Sequence, residues 1–173
     1  MREARSSRGR EMLRRWLRRL EHGRRMQAAA DLEAWLASLA FVLETCSEAH
    51  RPLGAETDIG TTLDRVDREM MRFRNHAADI GPRLRRASPV LGEAVRRLTD
   101  DTFHLRNHTH AYLLRWQSWR RQTGYASSAS IDSRREMEEA LLRASETARS
   151  LRADLATFSP QIRELIDAWS VEG

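Results

Sequence analysis

From Leu91 to Trp119, side chains able to enter a core return every four and then every three residues: Leu91, Val95, Leu98, Thr102, Leu105, Thr109, Tyr112, Trp116, Trp119. A strand would alternate with a period of two. This spacing instead sets one face of an α-helix against other helices along its whole length. A helix of that length cannot bury its stripe alone, so the chain must supply partners.

Three further segments carry the same pattern. The first is Ala28, Leu32, Trp35, Leu39, Val42, Cys46, Ala49, widened by Leu36 and Leu43. The second is Ile59, Leu63, Val66, Met70, Phe73, Ala77, Ile80. The third is Met137, Leu141, Ala144, Ala148, Leu151, Leu155, Phe158, with Ile162, Leu165 and Trp169 continuing in phase past Ser159-Pro160. Punctuation between them sets the expected bounds. Arg51-Pro52-Leu53-Gly54 stops the first helix, and Thr57 or Asp58 caps the next. Gly81-Pro82 ends that one, and Ser88-Pro89 opens the third. The stretch 122–130 is loop, and Ser133 with Glu136 makes a capping box for the last. The expectation is an all-α fold, an antiparallel up-down-up-down four-helix bundle with helices at about 25–50, 58–80, 89–121 and 133–170. Unbroken heptads also serve intermolecular coiled coils, so a hairpin that completes its bundle as a homodimer is the alternative. The scarcity of glycine (8) and proline (4) agrees with helices joined by short links.

Residues 1–24 stand apart as a basic amphipathic N-terminal extension. Met12, Leu13, Trp16, Leu17 and Leu20 form an apolar stripe, and Arg14, Arg15, Arg18 and Arg19 form the other face. Gly23 either ends this helix or weakens it. The apolar run Leu32 to Leu43, interrupted by Glu33 and Ser38, is too short for a membrane span. No transmembrane segment and no secretory signal is expected, and the cytoplasm is the default location. The lone Cys46 rules out an internal disulfide.

The net charge of +5 hides segregation. Residues 1–25 hold ten arginines against three acids, whereas 26–67 hold two against eight. Residues 68–99 are again basic, with eight against three. Every cation is arginine, a planar fork suited to phosphate or carboxylate. The bundle topology gathers Arg14, Arg15, Arg18, Arg19, Arg83, Arg85, Arg86, Arg96 and Arg97 at one pole, with Trp16 and Trp169 near it. The opposite pole receives Glu44, Glu48, Glu56 and Asp58. A basic pole of this kind suits nucleic acid, an acidic protein partner or, with Trp16 and Leu17 as wedges, an anionic membrane surface.

Motifs for chemistry are sparse. No glycine-rich phosphate loop or nucleophile elbow occurs, so no cofactor is implied. Asp101, His104 and His108 share a helical stripe, but no Glu-x-x-His pair accompanies them, and no metal site is assigned. The run Arg106-Asn107-His108-Thr109-His110-Ala111-Tyr112 resembles the motif of the HEPN helical ribonucleases, in which an arginine, often followed by asparagine, precedes a histidine. Three residues separate Arg106 from His110, fewer than in that family. The resemblance implies a phosphate-binding Arg106 and an active-site His110 at a dimer interface. In size and charge the chain also resembles small helical subunits of CRISPR effector complexes. The first expectation is therefore a non-enzymatic bundle docking through its arginine-rich pole onto nucleic acid or a nucleoprotein assembly. A helical interaction or oligomerisation module and a HEPN-like ribonuclease are the alternatives.

Overall fold

Four helices follow one another in a computed structural model that describes residues 2–54, 56–122 and 128–171. Side chains are described for 17–54, 56–122 and 131–169. The helices are α1 (Arg2–Ala49), α2 (Ile59–Ala87), α3 (Pro89–Gln122) and α4 (Ser128–Val171). Each packs on the next and α4 returns to α1, so a single chain closes an antiparallel four-helix bundle.

The heptad seams enter the core. Every seam residue of α1 from Ala28 to Ala49 is buried, and Leu32, Trp35 and Leu39 are wholly enclosed. Trp35 meets Phe73 of α2 with ring centroids 5.8 Å apart. On α3 the seam is buried from Leu91 to Trp116, including Thr102 and Thr109. Thr102 returns its hydroxyl to the Thr99 carbonyl at 2.6 Å. Thr109 bonds across the core instead, to His50.

The helix ends differ from the sequence reading in two places. α2 does not stop at Gly81-Pro82 but continues to Ala87. Proline removes one helical hydrogen bond, yet Ile80 before it and Leu84 after it are both fully buried, and helical phase is what buries both. α4 already begins at Ser128, so Ser133 is no cap; its hydroxyl donates to Gln122 Oε1 at 2.7 Å. Gly23, left open as a stop or a weak point, lies inside an unbroken α1. α4 runs on through Pro160, and Ile162 beyond it is fully buried. Asp58 does cap α2, accepting from the Gly60 amide at 2.9 Å. Most of the expected 122–130 loop lies outside the described residues.

One residue, Ser88, joins α2 to α3. Its N–H donates to the Leu84 carbonyl at 2.8 Å, and its carbonyl accepts from Gly92 at 3.1 Å. So tight a link forces the two helices together. A Cβ on Gly92 would fall 2.9 Å from the Arg85 Cα, closer than side-chain carbons approach.

α1 carries the most apolar stretch, by length and composition, among the described residues. Within Leu17–Ala49 an 18-residue window reaches a mean hydropathy of 1.3, long and apolar enough to cross a membrane. In this fold 44% of that window is buried inside the bundle.

Candidate polyanion-binding site

The lengths of the helices create the site. α1 pairs with α2 in a fixed antiparallel register: Glu48 meets Arg65, Ser38 meets His76, and Asp31 meets Arg83. Continuing that register sets Ala87, the last residue of α2, level with Gln27. α1 begins 25 residues earlier, at Arg2. At 1.5 Å per residue, 2–24 therefore project about 35 Å beyond the bundle as a helical spur.

The spur is where the sequence concentrates arginine. Arg18, Arg19 and Arg24 are exposed and have no acidic partner among the described residues. Arg25 hydrogen-bonds Glu21 one turn away, at 3.2 Å. The side chains of Arg14, Arg15 and Trp16 lie outside the described residues. On the leucine side, Leu17 is 50% and Leu20 39% exposed.

The remaining expected arginines separate into two groups. Arg85 and Arg86 are exposed at the bundle tip. Arg85 also lends its positive charge to Glu93. Arg83, Arg96 and Arg97 face carboxylates. Arg83 Nε donates to Asp31 at 2.7 Å, and a second nitrogen reaches Asp79 at 3.2 Å. Hydrogen bonding to Asp31 is the main reason its guanidinium holds its proton more firmly than usual. Arg96 spans Glu93 at 2.6 Å and Asp100 at 2.7 Å, and Arg97 lies 4.0 Å from Asp101. Asp31, buried and gripped by Arg83 and Gln27, is the residue that sequence reasoning missed. No local signal marks it, since its partner lies 52 positions away. Trp169 is buried at the end of α4 and belongs to the core.

The chain matches no family model, no curated protein and no solved structure. The site must therefore be read from its own chemistry.

At the foot of the spur lies a cleft of about 650 Å³. Leu17, Leu20, Ala28 and Ala87 give it an apolar floor; Arg24, Arg25, Arg83 and Arg86 line the rim with Glu21. Helix spur and cleft together offer charge and an uncovered apolar face.

Two polar clusters lie elsewhere in the bundle. Arg106 and His110 do come together, on Asp67 of α2. Arg106 Nε donates to Asp67 Oδ1 at 2.6 Å, and His110 Nε2 lies 2.9 Å from the same oxygen. The imidazole N–H is off the line of a good hydrogen bond, so that second contact is electrostatic. Burial pushes the Asp67 carboxyl up, but the Arg106 hydrogen bond and the charges of His110 and Arg106 outweigh it, and the group ends below its usual range. Arg106 and His110 thus face a carboxylate, and neither lines the cleft at the foot of the spur.

The second cluster joins Cys46 of α1 and His50, just past its end, to Thr109 and Tyr112 of α3. His50 Nε2 is 2.9 Å from the Thr109 hydroxyl, and its ring meets Tyr112 edge-on at 6.1 Å. Burial, with the nearby Arg152 charge, lowers the His50 pKa to about 4. Burial raises the Cys46 thiol to about 11 against a smaller pull from Thr109. A nucleophilic cysteine needs the reverse, a thiolate beside an imidazolium. This cluster is a neutral core network.

The metal stripe is not assembled. His108 bonds Thr147 of α4 at 2.9 Å while His104 is exposed, and no group of three or more possible ligands forms among the described residues.

Proposed function

We propose that this is a non-enzymatic, cytoplasmic bundle that docks onto nucleic acid or a nucleoprotein assembly by laying its spur along phosphates. One observation carries the reading. A single helix leaves the bundle with ten arginines against three acids in residues 1–25, and Arg18, Arg19 and Arg24 meet no carboxylate among the described residues. A guanidinium offers two parallel donors to a phosphate, and it remains charged at any physiological pH. Placing such groups on a rod beyond the bundle lets them follow a strand without steric interference from the body. Arg85 and Arg86 extend the same charge onto the tip.

The test is fluorescence anisotropy with labelled single-stranded RNA, single-stranded DNA and duplex DNA at low and moderate salt. If the spur neutralises about six phosphates, affinity drops about 10³-fold between 50 and 200 mM salt. Replacing Arg14, Arg15, Arg18 and Arg19 by Gln should remove most of the affinity and flatten the salt slope. Unchanged binding by that variant would defeat the reading.

A further inference from the structure

The arginine face does not use the leucines of the spur. Leu17 lies 18 residues before Trp35, which is five full helical turns, so the two share one face of α1. Trp35 is fully buried against the bundle; Leu17 is half exposed. The face that carries the core seam of α1 therefore continues past the ends of its partner helices, with Arg24 and Glu21 on it between Ala28 and Leu17, and no other helix lies on it among the described residues. Leu20 flanks the same face, and at its foot the cleft adds Ala28 and Ala87.

We propose that this inner face takes an amphipathic helix from a partner protein, apolar on one side and rich in Asp and Glu on its flanks. The seam geometry selects a helix, because a face shaped to pack α2 accepts another helix laid along α2's line. Charge selects the sign. The cleft rim presents Arg24 and Arg86 without acidic partners, and its one acid, Glu21, is engaged by Arg25. A second copy of the spur would bring another ten arginines against three acids onto the same site. A flat bilayer set against the inner face would collide with the α2–α3 end of the bundle, beside the foot of the spur. Nucleic acid leaves leucines unsatisfied. Arg18 and Arg19 project from the other side of the helical wheel, so the leucine face can be tested apart from the phosphate reading even though Arg24 and Arg86 belong to both.

The test uses the full chain and two synthetic peptides of about 20 residues, long enough to match the spur. One carries leucines at helical heptad spacing between glutamates. The other has the same composition with the leucines scrambled. The ordered peptide should bind at least about 10-fold tighter than the scrambled one, gaining helicity by circular dichroism. Leu17→Ser with Leu20→Ser should weaken it by about 10-fold or more while nucleic-acid affinity and thermal unfolding stay as in the parent. Equal binding of both peptides would overturn the proposal, as would unaltered binding by the leucine variant. So would a dimer in sedimentation, or binding to phosphatidylserine vesicles, that the leucine substitutions abolish. Loss of nucleic-acid binding with peptide binding intact would sink only the phosphate reading.

Discussion

α1 passes through two environments, and the same residue types behave differently in each. In the body, the apolar side chains of the helix seams are enclosed, while a few off-seam ones such as Met71 and Leu142 stay exposed, and many arginines are held by carboxylates, as Arg65 is by Glu48 and Arg115 by Glu136. On the spur, Leu17, which shares the seam's face, is half exposed, Leu20 is 39% exposed, and Arg18 and Arg19 meet no acid among the described residues. The spur thus retains interactions that the body has already satisfied internally. Its stability as a helix comes from continuity with α1, since a helix already nucleated in the body propagates outward more readily than an isolated one forms.

The largest expected effect sets Trp35 against Leu17, two residues on one face of one helix. Trp35→Ala should cost about 3–5 kcal/mol, the loss of a large buried side chain with the cavity it leaves. Leu17→Ala should move the urea midpoint little, because half of that side chain already faces solvent. Equal losses would mean that the spur is packed into the body, and the contrast between the two regions would collapse.

Acid should act next, and on the body alone. His50 is buried neutral, with a folded pKa near 4 against 6.5 for the free group. The unfolded chain therefore binds a proton that the folded chain refuses. Stability falls as pH drops from about 6.5 towards 4, by up to about 3 kcal/mol. Asp67, whose folded pKa is depressed, adds its own loss as pH falls through the ordinary carboxylate range towards its lower folded value. Denaturant titrations across pH 7 to 4 should show the first decline, and His50→Gln should flatten it. Phosphate affinity measured on folded protein does not involve His50 and should not follow the same curve.

The seams were legible because a repeat of four and three has one structural solution, and each residue from Ala28 to Ala49 on the α1 seam is buried. Helix ends were less so. Gly81-Pro82 is a strong local stop, but Leu84 beyond it is core, and tertiary burial outweighed the local cost. At the site, the number of arginines on the spur was plain, and the pairing of the others was not. Arg96 meets Glu93 and Asp100 within one turn, a spacing visible in advance, whereas Arg83 finds Asp31 across two helices. The uncovered side of the spur depended on something no local pattern reports, namely that α1 has 48 residues and α2 has 29.

The smallest effect is the most direct test of paired against unpaired arginine. Arg83→Gln leaves the Asp31 carboxylate buried with Gln27 as its remaining donor. An orphaned buried acceptor costs about 1–3 kcal/mol, and here the lower end applies, because Arg83 itself is partly solvated and water can follow its removal. Adding Asp31→Asn should recover part of that loss, since the charge that needed a partner is gone. Arg18→Gln with Arg19→Gln should leave the unfolding midpoint unmoved while weakening phosphate binding. Arg83→Gln should do the opposite, because its guanidinium already serves Asp31 and Asp79. Crossing these two variants in one experiment separates arginines that hold the body together from arginines left for a ligand. If Arg83→Gln weakened phosphate binding as much as the spur pair does, the Asp31 clamp would have to open on binding, and the boundary between body and spur would lie further into the bundle.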